Sequence, residues 1–182
     1  MIALRDNPPS TYPEDLTVGE IHGEWWLAHT RSRHEKALAL DLRAQDISFF
    51  LPMVEKTTLI RGRRFRGLMP LFPGYLFFAD ENGRRDRVLR TNHVAQMIAV
   101  RDQAQLVREL CEIERALDAQ VNLDPFPFLR SGRQCRIIAG PLRGFEGIVV
   151  RRRGVTRLVL QVTMLGQSVS TEIDPSFVEL VN

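Results

Sequence analysis

The chain is poor in lysine, in cysteine and in long apolar runs. Of 25 basic residues only Lys36 and Lys56 are lysine, so the other 23 are arginine. Arginine presents a planar fork that suits phosphate and carboxylate. GC-rich coding produces the same bias, so composition alone does not decide for an anionic partner. The net charge of +3 is small. Cys111 and Cys135 have no CxxC spacing and fall in different predicted elements. That argues against a disulfide framework and fits small buried side chains in a reducing compartment. No apolar run approaches the length of a membrane span, and the first residues lack the basic-then-apolar pattern of a secretory signal. A cytoplasmic location is expected.

Catalytic signatures are missing as well. There is no P-loop, HExxH, GxSxG or GxGxxG. His22, His29, His34 and His93 lack ligand spacing, and the carboxylates are scattered. No enzyme activity, metal or cofactor is expected, and function should reside in binding surfaces.

What is present centres on Met69-Pro70-Leu71-Phe72-Pro73-Gly74-Tyr75-Leu76-Phe77-Phe78. Pro73 fixes its own φ, and Gly74 tolerates angles that other residues avoid. A turn should therefore feed directly into an aromatic strand. Tyr75 and Phe77 project to one side, Leu76 and Phe78 to the other. One row can fill a core and the other can serve as an apolar docking surface; a strand buried on both faces gives the same pattern.

Residues 1–23, with Pro8, Pro9 and Pro13, read as a flexible tail. Residues 24–119 read as one domain. Trp25 to Thr30 is strand-like, and Ser32 with Glu35 forms a capping-box pattern that starts a helix near Arg33. Short strands are predicted at 47–54 and 57–61, an Arg-rich turn at 62–67, the aromatic strand at 71–79, a short helix at 86–90 and a strand at 94–100. Leu106, Leu110, Ile113 and Leu117 then recur at helical spacing. An antiparallel sheet with helices accounts for this order, an α+β class. Residues 120–128 are a linker stiffened by Pro125 and Pro127. In 129–182, glycine-separated strands at 134–138, 146–151, 157–163 and 169–173 suggest a small β-barrel. Val149, Val150, Val155, Val159 and Val162 favour strand there.

From Trp25 onward the chain resembles the NusG family of transcription elongation factors, including its RfaH-like specialised paralogs. The pieces that carry the resemblance are Trp25-Trp26-Leu27-Ala28-His29-Thr30, Leu51-Pro52-Met53-Val54, Ile60-Arg61-Gly62-Arg63-Arg64 and Pro70-Leu71-Phe72-Pro73-Gly74-Tyr75. Arg136 to Val149, with Gly140, Pro141, Gly144 and Gly147, is similar to a KOW motif. The resemblance implies a ferredoxin-like NGN domain followed by a KOW β-barrel. Pro70-Leu71-Phe72 is closer to the RfaH-like paralogs than to the general factor.

Three surfaces can bind. Trp25, Leu27 and His29 share one face of their strand, and Tyr75 and Phe77 share one face of another. If the strands share a sheet, these residues form one patch, which Phe72 and Pro73 extend. The resemblance implies that this patch docks on the clamp helices of the largest RNA polymerase subunit. On that reading Phe72→Asp should abolish polymerase binding and leave the domain folded. The second surface is basic: Arg31, Arg33 and His34 at a helix start, Arg61, Arg63, Arg64 and Arg66 at one turn, and Arg85 and Arg87 near another. Any single arginine is accounted for by a solvated face; the groups together point to phosphate. The resemblance implies DNA of the elongation complex, including the non-template strand. The third surface is the C-terminal barrel, whose family partners are ribosomal protein S10, Rho or RNA. Where the general factor carries Ile-Phe-Gly, this chain has Met164-Leu165-Gly166. Leu165 keeps the apolar tip and loses the ring.

The resulting expectation is a monomeric elongation or antitermination factor. It bridges the polymerase cleft and suppresses pausing or termination. The alternatives are a ribosome- or RNA-associated KOW protein with an unrelated front domain, and an enzyme whose site escapes sequence inspection.

Overall fold

The chain enters its fold earlier than the prolines suggest. The computed structural model describes residues 7–60, 63–81, 83–126, 129 and 132–181, and at 58–60, 63 and 65 the backbone alone. Thr11–Tyr12 form strand β1, which pairs with Phe49–Phe50. The Tyr12 ring stacks on Phe49 at 5.8 Å, and its hydroxyl donates to Asp46 Oδ1 at 2.9 Å. Val18 and Ile21 are buried. Residues 7–23, read from the sequence as part of a flexible tail, are therefore packed. Three prolines are compatible with this because an edge strand of two residues asks for few donors.

The chain divides into two compact units, 1–103 and 104–182. In the first, β1 is followed by β2 (Glu24–Thr30), α1 (Glu35–Ala44), β3 (Phe49–Phe50) and β4 (Met53–Ile60). Then come β5 (Arg63–Pro70), β6 (Tyr75–Asp80), α2 (Arg85–Arg90) and β7 (Val94–Ala99). The main sheet has the order β1-β3-β6-β2-β7, with every pair antiparallel. β6 lies between β2 and β3, which α1 joins; β2 lies between β6 and β7, which α2 joins. This is the split βαβ order expected of a ferredoxin-like sheet.

One row of the sheet, Ala28, Leu76 and Phe78, belongs to a buried cluster with Leu38, Ala39 and Leu42 of α1 and Val88 of α2. Leu38 and Leu42 are spaced to face the sheet together, and both are fully buried. Each such leucine contributes about 1.5–3 kcal/mol. β4 and β5 form a separate two-stranded hairpin, paired from Met53↔Pro70 to Ile60↔Arg63. Residues 63–67 are thus strand, not the Arg-rich turn expected at 62–67. The alternation of Arg64, Arg66 and Leu68 on one face is a strand pattern that glycine spacing obscured.

Among the described residues the second unit holds α3 (Gln103–Asp118), apart from its first residue, and six strands. These are β8 (Asp124–Phe126), β9 (Arg133–Ile137), β10 (Glu146–Arg152), β11 (Val155–Val162), β12 (Gln167–Glu172) and β13 (Val178–Leu180). Their order is β13-β9-β10-β11-β12-β8. Among the described residues β8 and β13 do not pair with each other, so the expected barrel is here an open antiparallel sheet. The valine-rich segments are strand, as their β-branching favours. β8 falls within the span read as a linker and pairs with β12. Glu109 of α3 accepts from both the N–H and the hydroxyl of Thr163, and Arg115 lies 4.2 Å over the Phe145 ring.

Candidate docking turn and basic surfaces

Phe72, Pro73, Gly74 and Tyr75 form a tight turn closed by the Tyr75 N–H on the Phe72 carbonyl at 3.1 Å. Proline at the second position and φ of 87° at Gly74 are the features of a type II turn. A side chain at Gly74 would be strained, which explains the glycine. Such a turn leaves its central N–H pointing outward. Here Glu35 Oε1 takes that Gly74 N–H at 2.6 Å, and the Gly74 carbonyl accepts from the Thr30 N–H at 2.8 Å. Gly74 is therefore held through both its N–H and its C=O.

This arrangement corrects the capping-box expectation. The N-cap of α1 is His34, without a side-chain cap bond, and Arg33 adopts a left-handed φ of 65°. The Glu35 carboxylate is directed to the turn and is buried. Glu35→Ala should cost about 1–2 kcal/mol by leaving the Gly74 N–H unpaired. Glu35→Gln, whose amide oxygen still accepts, should retain most of that stability. Urea denaturation of the two variants checks this; equal losses would show that charge, not the acceptor, is what matters.

The register places Leu27 opposite Phe77, His29 opposite Tyr75 and Trp25 opposite Ala79. Trp25, Leu27, His29, Tyr75 and Phe77 thus share one face, as the alternation required. Their accessibility differs. Trp25, Leu27, Phe72 and Phe77 are at most 2% exposed. Phe72 meets Phe77 edge-on at 6.4 Å. Pro73 is exposed, while Tyr75 and His29 are half-buried and stack at 5.0 Å. The expected patch is contiguous, but its accessible part narrows to Pro73, Gly74, Tyr75 and His29. Phe72→Asp would place a carboxylate at a buried position, so the expectation of an intact fold for that variant does not hold.

The basic groups separate. Arg31 and Arg33 are exposed at the start of α1. His34 is not free: its Nδ1 lies 2.8 Å from His93 Nδ1, and His93 Nε2 lies 3.2 Å from Asp41 Oδ2. Arg64 and Arg66 are exposed on β5, with Arg66 3.7 Å from Glu55. Arg61 lies outside the described residues, and Arg63 is described by its backbone alone. Arg87 is exposed, and the Arg85 guanidinium sits 5.0 Å over the Trp26 ring. Lys36 carries no binding signal in the sequence pattern. It lines a groove of about 660 Å³ with Arg33, Lys56, Arg66, Met69 and Pro73. Its ammonium donates to Asn7 Oδ1 and to the Leu68 carbonyl. Burial lowers its pKa below the usual lysine value, partly offset by the Glu35 charge. The partners of Glu35, Lys36 and His34 lie far away in sequence, so no local signal marks them.

In the second unit, Gly140, Pro141 and Gly144 lie in the connection between β9 and β10, where the Gly144 N–H donates to the Ile137 carbonyl at 2.7 Å. Gly147 lies on β10. A Cβ there would stand 2.8 Å from the Val159 carbonyl oxygen, so the strands require its absence. Leu165 is half-buried and ends a 3-10 turn, Thr163–Leu165, that Gly166 closes at φ 59°. Among the described residues no group of three or more His, Cys, Asp or Glu could hold a metal ion. No described helix is long and apolar enough to cross a membrane.

A family model described as "Transcription termination factor nusG" matches residues 23–116, just over half of the chain. A comparison with curated proteins finds no match. Among solved structures, the crystal structure of an MjSpt4:Spt5 complex in conformation B aligns over 87% of this chain and 97% of that one, at 16% identity. The TM-score of that alignment is 0.25, too low to argue from. The family match covers β2, both helices of the first unit, the Pro73–Gly74 turn and most of α3, and by it the chain belongs to the NusG family of transcription factors.

Proposed function

We propose that the chain is an RfaH-like elongation and antitermination factor that docks on the clamp helices of the largest RNA polymerase subunit. The observation that carries this reading is the Pro73–Gly74 turn. It is held at its N–H and its C=O, and it presents Tyr75 stacked on His29. A rigid aromatic surface of that kind forms hot spots at low entropic cost. Docked there, the first unit bridges the cleft and disfavours clamp opening. No covalent chemistry is needed, because differential affinity for the two clamp states shifts their populations. The exposed arginines, Arg31, Arg33, Arg64, Arg66 and Arg87, face DNA of the elongation complex, including the non-template strand. The second unit acts as a KOW domain. It recruits ribosomal protein S10 or Rho through the Leu165 tip, tethered so that effective concentration assists binding. The protein works in the cytoplasm as a monomer.

Single-round transcription on a template with a strong pause tests the reading. Saturating protein should shorten the pause lifetime several-fold. An unchanged lifetime, with polymerase and protein both shown to be active, would sink it.

A further inference from the structure

We infer that the free edge of β5 is a docking site for an extended peptide of a partner protein, one that alternates acidic and apolar residues and adds to the hairpin as a third strand. Among the described residues β5 pairs with β4 alone, and the hairpin stands apart from the five-stranded sheet. The register identifies the unused groups. The Leu71 N–H donates to the Pro52 carbonyl at 2.8 Å, one step beyond the Met53↔Pro70 pair. Antiparallel pairs alternate between bonded and non-bonded. Met69 and Gly67 therefore bond to β4, while Leu68, Arg66 and Arg64 turn their N–H and C=O toward the open edge. The Leu68 carbonyl agrees with this phase, since it accepts from the Lys36 ammonium at 2.6 Å. Lys36 thus closes one position of the edge. Among the described residues the Leu68 N–H and both backbone groups of Arg66 are left to pair.

The side chains along this edge define the strand that fits it. Residues 66–70 of β5 form one wall of the 660 Å³ groove, with α1 and the Pro73–Gly74 turn opposite. Arg33, Lys56 and Arg66 are exposed around it. The one acid in its lining, Glu35, already accepts from the Gly74 N–H. Arg64 and Arg66 stand on one face of β5, and Gly67 stands on the other with Met69, which is 49% exposed. A strand with acids on the first face and aliphatic side chains on the second meets both. Every charge that β5 carries is positive, at Arg63, Arg64 and Arg66, a pattern that repels a second copy of the strand and favours an acidic one. An isolated two-stranded hairpin is marginally stable, so an added strand makes its own main-chain bonds and steadies the other two. On the reading proposed above Arg64 and Arg66 also face DNA, so an added strand excludes DNA from them. The inference does not rest on polymerase docking.

Amide hydrogen exchange on the full chain, read by NMR, tests it with a short peptide alternating glutamate and valine. Bound peptide should slow exchange at Arg66 and Leu68 and leave Gly67 and Met69, already bonded to β4, unchanged. The same peptide N-methylated along its backbone keeps every charge and loses its donors. It should bind at least about tenfold more weakly. Arg64→Gln combined with Arg66→Gln should weaken binding several-fold and flatten its salt dependence, since both cations are exposed and screened. No binding of the peptide, bound peptide without protection at Arg66 and Leu68, or equal affinity of the N-methylated peptide overturns the inference. A single-stranded oligonucleotide that protects the same two amides would give the edge to nucleic acid. Protection that rises with the concentration of the protein alone would give it to a second copy. Either result overturns the inference as well.

Discussion

Tyr75→Ala should lower the affinity of the chain for RNA polymerase at least about tenfold and leave the first unit folded. Truncating a central aromatic hot spot costs about 2 kcal/mol or more, a factor of roughly thirty. Tyr75 is half-buried, with its ring on His29. Its backbone N–H closes the turn on Phe72, and that bond survives the substitution. Glu35 and Thr30 still hold Gly74. The variant therefore removes ring area and keeps the scaffold. Phe72→Asp mixes the two effects, since Phe72 is 2% exposed and packs edge-on against Phe77. Capture of purified polymerase by tagged protein, alongside a thermal melt, reads both quantities. Wild-type affinity in Tyr75→Ala would remove this turn from the interface and return the aromatic row to a purely structural role.

Gly147→Val should unfold or severely loosen the second unit, with a loss of about 3 kcal/mol or more. The Cβ alone would meet the Val159 carbonyl oxygen at 2.8 Å and Leu158 Cδ1 at 3.0 Å. The first obstacle is backbone in the central β10–β11 pair, so it cannot swing aside as a side chain can. Gly67→Ala is the matching control, because nothing lies within 4 Å of its Cβ position and its φ is ordinary. The readout must suit the unit. Trp25, Trp26, Tyr12 and Tyr75 all fall in the first unit, leaving the second without tryptophan or tyrosine. Hydrogen exchange or NMR of β10 and β11 amides will report the loss where intrinsic fluorescence is blind. Native-like protection in Gly147→Val would mean that the two strands can separate at no cost.

Periodicity made much of this fold legible. The strands around Trp25, Tyr75 and Val94, the helix through Leu106 and Leu110, and the valine-rich C-terminal strands fall where alternation or helical spacing puts them. The aromatic row was legible too, because a strand fixes which side each residue faces. How deeply each residue of that row is buried was not. Alternation sets direction, whereas cover depends on elements distant in sequence. The same limit hid β1, β8 and β13, which are two or three residues long and exist only through their partners. It also hid the role of Glu35, whose spacing from Ser32 matched a local cap while its real acceptor duty lies at Gly74.

The chain His34–His93–Asp41 has a consequence for proton positions. His93 Nε2 lies 3.2 Å from Asp41 Oδ2 while its Nδ1 lies 2.8 Å from His34 Nδ1, so the ring stands between an acid and a second ring. The bond between the rings can form in either sense, with one facing Nδ1 donating and the other accepting. The facing nitrogens can share only one proton. Two histidines that look like part of a cationic helix start thus spend their facing nitrogens on each other, with an aspartate beside the second ring. The cations exposed to a ligand at that end of α1 are Arg31 and Arg33.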